Sequence, residues 1–173
     1  MMPPEFSFPG VITVRAALLL AFLSLTFFAT ETIVAQAPDA QEVPHPTLPA
    51  GAGKIDADAP KTFAKTPSGL QYRVLRKGAG ANPKATSHVK VHYHGWLDSG
   101  KVFDSSYQRG ESIDFGLNQV IPGWTEGMQL VGQGGMIELL IPSDLGYGKR
   151  GTPGGPIPPD ATLHFLVELL DVR

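Results

Sequence analysis

The chain has 173 residues, a formal net charge of −2, 42% hydrophobic residues and no cysteine, which is typical of one globular domain with short additional segments. A charge so close to zero does not attract nucleic acid or anionic lipid, so we expect neither as a partner. The absence of cysteine excludes disulfides and a lipid anchor attached through a cysteine thioether.

Residues 1–37 are predicted to be a secretory signal peptide. Arg15 precedes an uncharged, mostly apolar run at 16–29, and Ala35-Gln36-Ala37 matches the small-residue pattern at which signal peptides are cleaved. The alternative is an uncleaved membrane anchor through residues 16–37. Glu31 disfavours it, because the uncharged run is shorter than the ~20 residues that a spanning helix needs. We therefore expect an exported, periplasmic protein whose mature chain begins near Pro38.

Residues 38–66 are predicted to be a disordered linker. This segment is rich in proline, alanine, glycine and aspartate. With so few aromatic and branched aliphatic residues, it is not expected to bury enough apolar surface to become ordered. The globular domain is accordingly predicted to comprise residues 67–173, without room for a further dimerisation domain.

Alternating apolar residues predict four strands in this domain, at 70–76, 89–97, 136–141 and 163–172. Only one helix is predicted, within the stretch 120–131. Strands that dominate around a single helix indicate an α+β domain in which the helix covers one face of an antiparallel sheet. The glycine- and proline-rich stretch 146–159 is too irregular for an element and is long enough to suggest a functional loop.

The predicted helix begins at Pro122, which suits the first helical position, and a left-handed stop at Gly132 would make it about ten residues long. Trp124, Met128 and Val131 then share one face. This periodicity alone predicts that they are buried against the sheet.

Five segments of the C-terminal half carry a more specific signal. They are VHYHG (91–95), KVFDSS (101–106), VIPGWTEGMQLV (120–131), IPSDLGYG (141–148) and IPPDATLHFLVELLDV (157–172). In this order and at these separations they resemble the FKBP-type peptidyl-prolyl cis/trans isomerases, and TPSGLQY (66–72) is similar to the first strand of the exported bacterial branch. The resemblance implies a five-stranded antiparallel half-barrel wrapped around one short helix, with a pocket between the sheet and the helix.

The same resemblance implies an enzyme that assists the folding of exported proteins by stabilising the twisted X–Pro amide. Proline-containing polypeptides are the implied substrates, macrolides of the tacrolimus and rapamycin type are candidate inhibitors, and a monomer without metal or cofactor is expected. Rotation about X–Pro breaks no bond, but it faces a barrier of ~18–20 kcal/mol because amide resonance is lost. A dry apolar pocket favours the less polar twisted amide over the planar ground state.

Nine site residues follow from the resemblance. Trp124 is expected to form the pocket floor, and the walls are expected to be Tyr93, Phe103, Val120, Ile121, Ile157 and Phe165. The Ile121 backbone N–H and the Tyr147 hydroxyl would donate to ligand carbonyls, and Asp104 would lie at the rim. Pattern alone places Tyr93 and Phe165 in the core, and it allows Asp104, beside Ser105 and Ser106, to be only a turn cap.

Two departures from the family pattern affect the expected pocket. Ile113 stands where many members have a second aromatic residue before Phe115. The loop between Tyr147 and Ile157 is one residue longer than usual, so its alignment at 152–156 is open, and Thr152 falls near a position where some members have histidine.

The motifs of other enzyme and metal-site classes are incomplete in this sequence. Ser143 lacks the G-x-S-x-G context of a hydrolase nucleophile, and the glycines at 132–135 lack the lysine of a phosphate loop. His92 and His94 share one face of a predicted strand, but no third ligand follows at a spacing typical of metal sites. The alternative function is a binding module that holds a proline-containing segment, with incidental catalysis.

Overall fold

The computed structural model describes residues 41–173, so the predicted signal peptide lies outside the described residues. The described part contains seven strands: β1 (Ala64–Lys65), β2 (Gln71–Arg76), β3 (His88–Leu97), β4 (Val102–Ser105), β5 (Ile113–Gly116), β6 (Met136–Ile141) and β7 (Leu163–Val172). It also contains two α-helices, α1 (Ser106–Arg109) and α2 (Pro122–Met128). Between residues 41 and 173, no helix has the length and apolar character needed to cross a membrane.

All seven strands form one antiparallel sheet in the order β1-β2-β6-β7-β3-β4. β5 pairs with the first half of β3, from His88 to Val91, and β4 pairs with the second half. The predicted α+β class is confirmed, and the four predicted strands are present within one residue of their predicted ends. The described residues form seven strands rather than five, because β1 adds an outer strand beside β2 and because β4 and β5 divide the edge of β3.

The main core lies between the sheet and α2. Leu163, Phe165, Val167 and Leu169 of β7 are buried in this core, as the period of two in a strand requires. α2 approaches the sheet closely because two of its glycines face it. A Cβ on Gly123 would lie 2.5 Å from Ile141 Cγ2, and one on Gly127 would lie 2.7 Å from Leu139 Cδ2.

The helix is shorter than predicted. α2 has seven residues and ends at Met128, and Gly132 is not in the left-handed region, which Gly134 adopts instead with φ 85°. Tertiary contacts explain the early end: Asn82 Nδ2 donates to the Gln129 carbonyl at 2.9 Å, and a Cβ on Gly132 would lie 2.5 Å from the Gly80 carbonyl oxygen. Gly132 is therefore needed for close backbone approach rather than for a helix stop.

The second face of the sheet is also covered, and the prediction of a disordered linker at 38–66 is wrong for its described part. Residues 41–63, here called the strap, pack over that face and lead directly into β1. Leu48, Ile55 and Ala59 of the strap cover three fully buried side chains of the sheet, which are Leu75, Met136 and Leu166. The ordered unit thus begins well before the predicted domain start at residue 67.

A buried arginine explains why a segment poor in apolar residues becomes ordered. Arg73 is only 1% exposed and its Nε donates to Glu138 at 2.6 Å. Its remaining nitrogens donate to strap carbonyls, at 2.6 Å for Val43, 2.7 Å for Pro44 and 3.1 Å for Lys61. Hydrogen bonds from a buried charge to backbone carbonyls are stronger than neutral ones. Backbone recognition of this kind leaves no trace in the apolar pattern of the strap.

A second ionic contact holds the middle of the strap. The Gly53 N–H donates to Glu168 Oε1 at 2.7 Å, and Arg76 Nη1 donates to the same oxygen at 3.0 Å. A Cβ on Gly53 would overlap the Arg76 guanidinium at 2.1 Å. The strap is thereby fastened to both β2 and β7.

Candidate active site

A cavity of about 760 Å³ opens beside α2, on the sheet face opposite the strap. Eight of the nine predicted site residues line it, namely Phe103, Asp104, Val120, Ile121, Trp124, Tyr147, Ile157 and Phe165. Its volume lies within the range of ordinary small-molecule sites. The ninth residue, Tyr93, is 7% exposed and lies behind the wall, against Trp124.

Trp124 is held by aromatic rings on several sides. Its ring is 5% exposed and stands nearly perpendicular to Phe165, with centroids 5.1 Å apart. Edge contacts to Tyr93 at 5.6 Å and to Phe115 at 5.5 Å complete the cluster. Such edge-to-face pairs add stability beyond area burial. The indole is therefore a rigid surface at the base of the cavity, fixed to the first turn of α2.

Gly95 allows two of the wall rings to meet. Phe103 and Phe165 form an edge-to-face pair with centroids 5.4 Å apart. A Cβ on Gly95 would lie 2.7 Å from Phe103 Cε2 and 2.8 Å from Phe165 Cε1, closer than van der Waals contact permits. Gly95 was not among the predicted site residues, because a glycine in a strand signals close approach without indicating what approaches.

At the rim, Asp104 is held by two donors. It accepts hydrogen bonds from the Tyr93 hydroxyl and from Arg109, and Arg109 Nη2 also donates to the Tyr93 hydroxyl oxygen at 2.9 Å. Asp104 is therefore more than a turn cap. Ser105 has the capping role, since its side chain accepts from the Gln108 N–H at the start of α1.

These contacts set the protonation states at the rim. Burial opposes ionisation of Asp104, but the hydrogen bonds from Tyr93 and Arg109, together with the Arg109 charge, hold the pKa of its carboxyl below the usual value. Burial and the hydrogen bond to Asp104 raise the pKa of the Tyr93 hydroxyl, against the opposing effect of Arg109. Near neutral pH the rim consists of a carboxylate, a protonated phenol and a guanidinium.

The long loop before β7 supplies the remaining wall. Its turn is closed by Thr152, whose N–H donates to the Ile157 carbonyl at 2.9 Å while its Oγ1 accepts from the Ile157 N–H at 3.0 Å. Thr152 and Pro156, whose alignment was open, both line the cavity. Tyr147 remains 42% exposed at the mouth.

Several residues beside the cavity were not among the predicted site residues. Phe115, Ile113, Asp114 and Gln119 line it, and Arg109 holds its rim. Ile113 and Phe115 had been noted only as a departure from the family pattern. Arg109 carried no signal beyond being a basic residue after KVFDSS, because the four-residue helix α1 is too short to produce a periodic pattern.

His92 and His94 do not line the cavity. Their Nδ1 atoms lie 2.9 Å from Ser106 Oγ and 3.0 Å from Ser105 Oγ, respectively. Burial lowers the pKa of His94. Within residues 41–173, no group of three side chains is arranged to hold a metal ion.

The chain is also similar to known proteins. The model of the FKBP-type peptidyl-prolyl cis-trans isomerase family matches residues 80–170. FkpA of Escherichia coli K12 is 54% identical over 106 residues, which cover 61% of this chain and 38% of that protein. A probable FKBP-type isomerase of Haemophilus influenzae is 54% identical over 113 residues, covering 65% and 46% of the two chains.

Two solved structures are also similar. The crystal structure of Escherichia coli FkpA matches with a TM-score of 0.62 and 51% identity, covering 64% of this chain and 51% of that one. The isomerase of Pseudomonas syringae matches with a TM-score of 0.60 and 37% identity, covering 64% and 80%.

This chain belongs to the FKBP-type peptidyl-prolyl cis-trans isomerase family. The chain spans less than half the length of the Haemophilus influenzae and Escherichia coli K12 relatives. The family match begins at residue 80, so the strap and β1 precede the matched residues.

Proposed function

We propose that this protein catalyses cis/trans isomerisation of X–Pro bonds in exported polypeptides, and that the aromatic cavity above Trp124 is its active site. The observation that carries the proposal is the largely apolar pocket, whose lining residues all lie within the range 80–170 that the family model matches. A proline ring would rest on Trp124, between Phe103 and Phe165. Water excluded from this surface would leave the amide in an environment that favours its twisted, less polar form.

The polar groups at the mouth would orient the substrate rather than react with it. The Ile121 N–H and the Tyr147 hydroxyl would donate to substrate carbonyls. Asp104, ionised and fixed by Tyr93 and Arg109, would lie beside the rotating amide carbonyl. Each ~1.4 kcal/mol by which these contacts favour the twisted state would raise the rate tenfold.

A protease-coupled assay with a prolyl peptide tests the proposal on the full chain. We expect saturable acceleration of isomerisation that is lost on heat denaturation. A module that merely holds a proline-containing segment would bind the same peptide and leave the rate at the uncatalysed value, and that outcome would reject the enzymatic role.

Macrolides of the tacrolimus and rapamycin type would compete for the cavity. Their pipecolyl ring resembles proline, and their dicarbonyl resembles a twisted amide. Binding would change the emission of Trp124, which is best followed in a Trp96→Phe variant because Trp96 lies on the other sheet face, stacked on His164 at 5.4 Å. Neither quenching nor inhibition at high micromolar macrolide would show that the cavity does not admit this class of ligand.

The proposal includes export and a monomeric mature form. The export part of the proposal rests on the apolar run at 16–29 and the Ala35-Gln36-Ala37 pattern. Intact-mass measurement on protein from the native host should give a chain that begins near Pro38, and light scattering should give the mass of one copy. Recovery of the uncleaved chain in the membrane fraction would favour an anchor through residues 16–37.

A further inference from the structure

The edge of β3 has a gap at Tyr93. β4 pairs His94 with Ser105 and Gly95 with Asp104, so continued pairing would place Ser106 opposite Tyr93. The chain instead turns into α1 at Ser106, while β5 rejoins β3 only at Val91. The backbone groups of Tyr93 on this edge therefore have no partner strand, although buried backbone groups need hydrogen bonds.

The Ser106 side chain fills this gap. Its hydroxyl is completely buried, accepts from the Tyr93 N–H at 2.8 Å and donates to the Tyr93 carbonyl at 3.2 Å. One hydroxyl thus replaces both hydrogen bonds that a strand residue would have made. The third contact of the Ser106 hydroxyl is with His92 Nδ1 at 2.9 Å. Because the single hydroxyl hydrogen is already donated to the Tyr93 carbonyl, this contact is a hydrogen bond in the His92 tautomer that carries its proton on Nδ1.

Ser106 thereby connects two parts of the rim. It fixes the backbone of Tyr93, whose hydroxyl donates to Asp104, and it is the first residue of α1, which carries Arg109. Arg109 donates to Asp104 and to the Tyr93 hydroxyl. Loss of the Ser106 hydroxyl would free the Tyr93 backbone and the start of α1 together, so both donors to Asp104 would shift.

We propose that Ser106 is a positioning residue of the active site, whose buried hydroxyl sets the placement of Tyr93 and Arg109 around Asp104. This inference rests on the proposed function. It assigns Ser106 no contact with substrate. Misplacement of catalytic groups by about 1 Å can lower the rate on the order of a hundredfold.

The test compares four variants of the full chain, assayed well below their thermal unfolding temperatures. Ser106→Ala removes the hydroxyl and Ser106→Thr retains it. Ser105→Ala is the matched control, because Ser105 is also buried and hydrogen-bonds α1 and His94 but not Tyr93. His92→Ala removes the third partner while keeping both bonds to Tyr93.

We expect Ser106→Ala to lower kcat/KM about tenfold and the other three variants to stay within about threefold of the wild type. Amide hydrogen exchange at Tyr93 should accelerate in Ser106→Ala alone. Wild-type kcat/KM in a folded Ser106→Ala variant would overturn the proposal. So would an equal loss in Ser105→Ala, since that would place the effect in the stability of α1.

The same experiment also covers a Ser106→Ala variant that does not fold and a wild type that is inactive. If Ser106→Ala does not fold, Ser106→Thr decides: an active variant with the wild-type Tyr93 amide shift supports the role, and an inactive one with that shift overturns it. If the wild type itself is inactive, the proposed function fails. Slow exchange at the wild-type Tyr93 amide, lost in Ser106→Ala, would then still support the hydroxyl contact.

Discussion

Replacement of Arg73 by methionine should release the strap and destabilise the whole domain. Methionine retains much of the side-chain volume but removes the charge and the donors to Val43, Pro44 and Lys61. It also leaves Glu138, which is only 4% exposed, without its guanidinium partner. The perturbation therefore acts on a buried ion pair and on the backbone of the strap at once.

The expected loss follows from the burial of both partners. Removing one member of a buried ion pair costs about 3–5 kcal/mol of unfolding free energy. At roughly 3–4 °C per kcal/mol for a domain of this size, thermal unfolding should begin about 10–20 °C lower. The loss should be largest at high pH. Burial already raises the pKa of Glu138 despite Arg73, so in the variant the folded state binds a proton more tightly than the unfolded state, and stability falls as pH rises.

Urea unfolding at pH 5 and pH 8, followed by tryptophan emission, measures this loss. The control is the double variant Arg73→Met with Glu138→Leu, which removes the unpaired carboxylate and should recover much of the stability. Trypsin tests the strap separately, because Lys54 and Lys61 are exposed and should be cleaved first if the strap detaches from a folded domain. An Arg73→Met variant within about 1 kcal/mol of the wild type at pH 8 would refute this account of the strap.

Three further predictions concern the cavity. The rate should be nearly flat from about pH 6 to 8, because the pKa of Asp104 lies below its usual value and that of Tyr93 above it; a steep profile abolished by one histidine substitution would contradict this. Among variants shown to be folded, Asp104→Ala should lose less kcat/KM than Phe103→Ala, with roughly tenfold as the dividing value, and the reverse order would indicate a polar mechanism. Gly95→Ala should displace the rings of Phe103 and Phe165, costing about 1–3 kcal/mol of stability and most of the activity; thermal unfolding and the peptide assay measure both, and an active, equally stable variant would show that the rings need not meet there.

The apolar pattern was sufficient to predict those elements whose residues are placed mainly by burial against the core. Burial alternates along β2 and β3, whereas most of β6 and β7 is buried on both faces; the ends of all four strands were predicted within one residue. The start of α2 at Pro122 was predicted for a similarly local reason. Its end was not, because Gln129 and Gly132 interact with residues 78–82, a contact that only the folded chain reveals.

The strap and the rim show what a single sequence conceals. Arg73 stands in an alternating strand and would ordinarily be assigned to solvent, yet it is buried by a segment whose backbone it binds. Arg109 and Ser106 take their roles from the turn of α1 and from the gap beside β3. Each depends on a pairing between distant residues that no local pattern records. The family resemblance, by contrast, identified eight of the residues that line the cavity, because it carries information about three-dimensional proximity.

The position of the strap also determines which end of the molecule is suitable for immobilisation or labelling. Val43 and Pro44 are bound to Arg73 on the side of the sheet away from the cavity. A tag, resin or fluorescent label joined ahead of residue 41 would start from that far side, leaving the mouth near Tyr147 unobstructed. Immobilisation through the amino-terminal end is accordingly the better geometry for testing whether the cavity captures proline-containing polypeptides from a mixture. Coupling through the Lys149 amine, which follows Tyr147 closely in the chain, would place the support beside the mouth of the cavity.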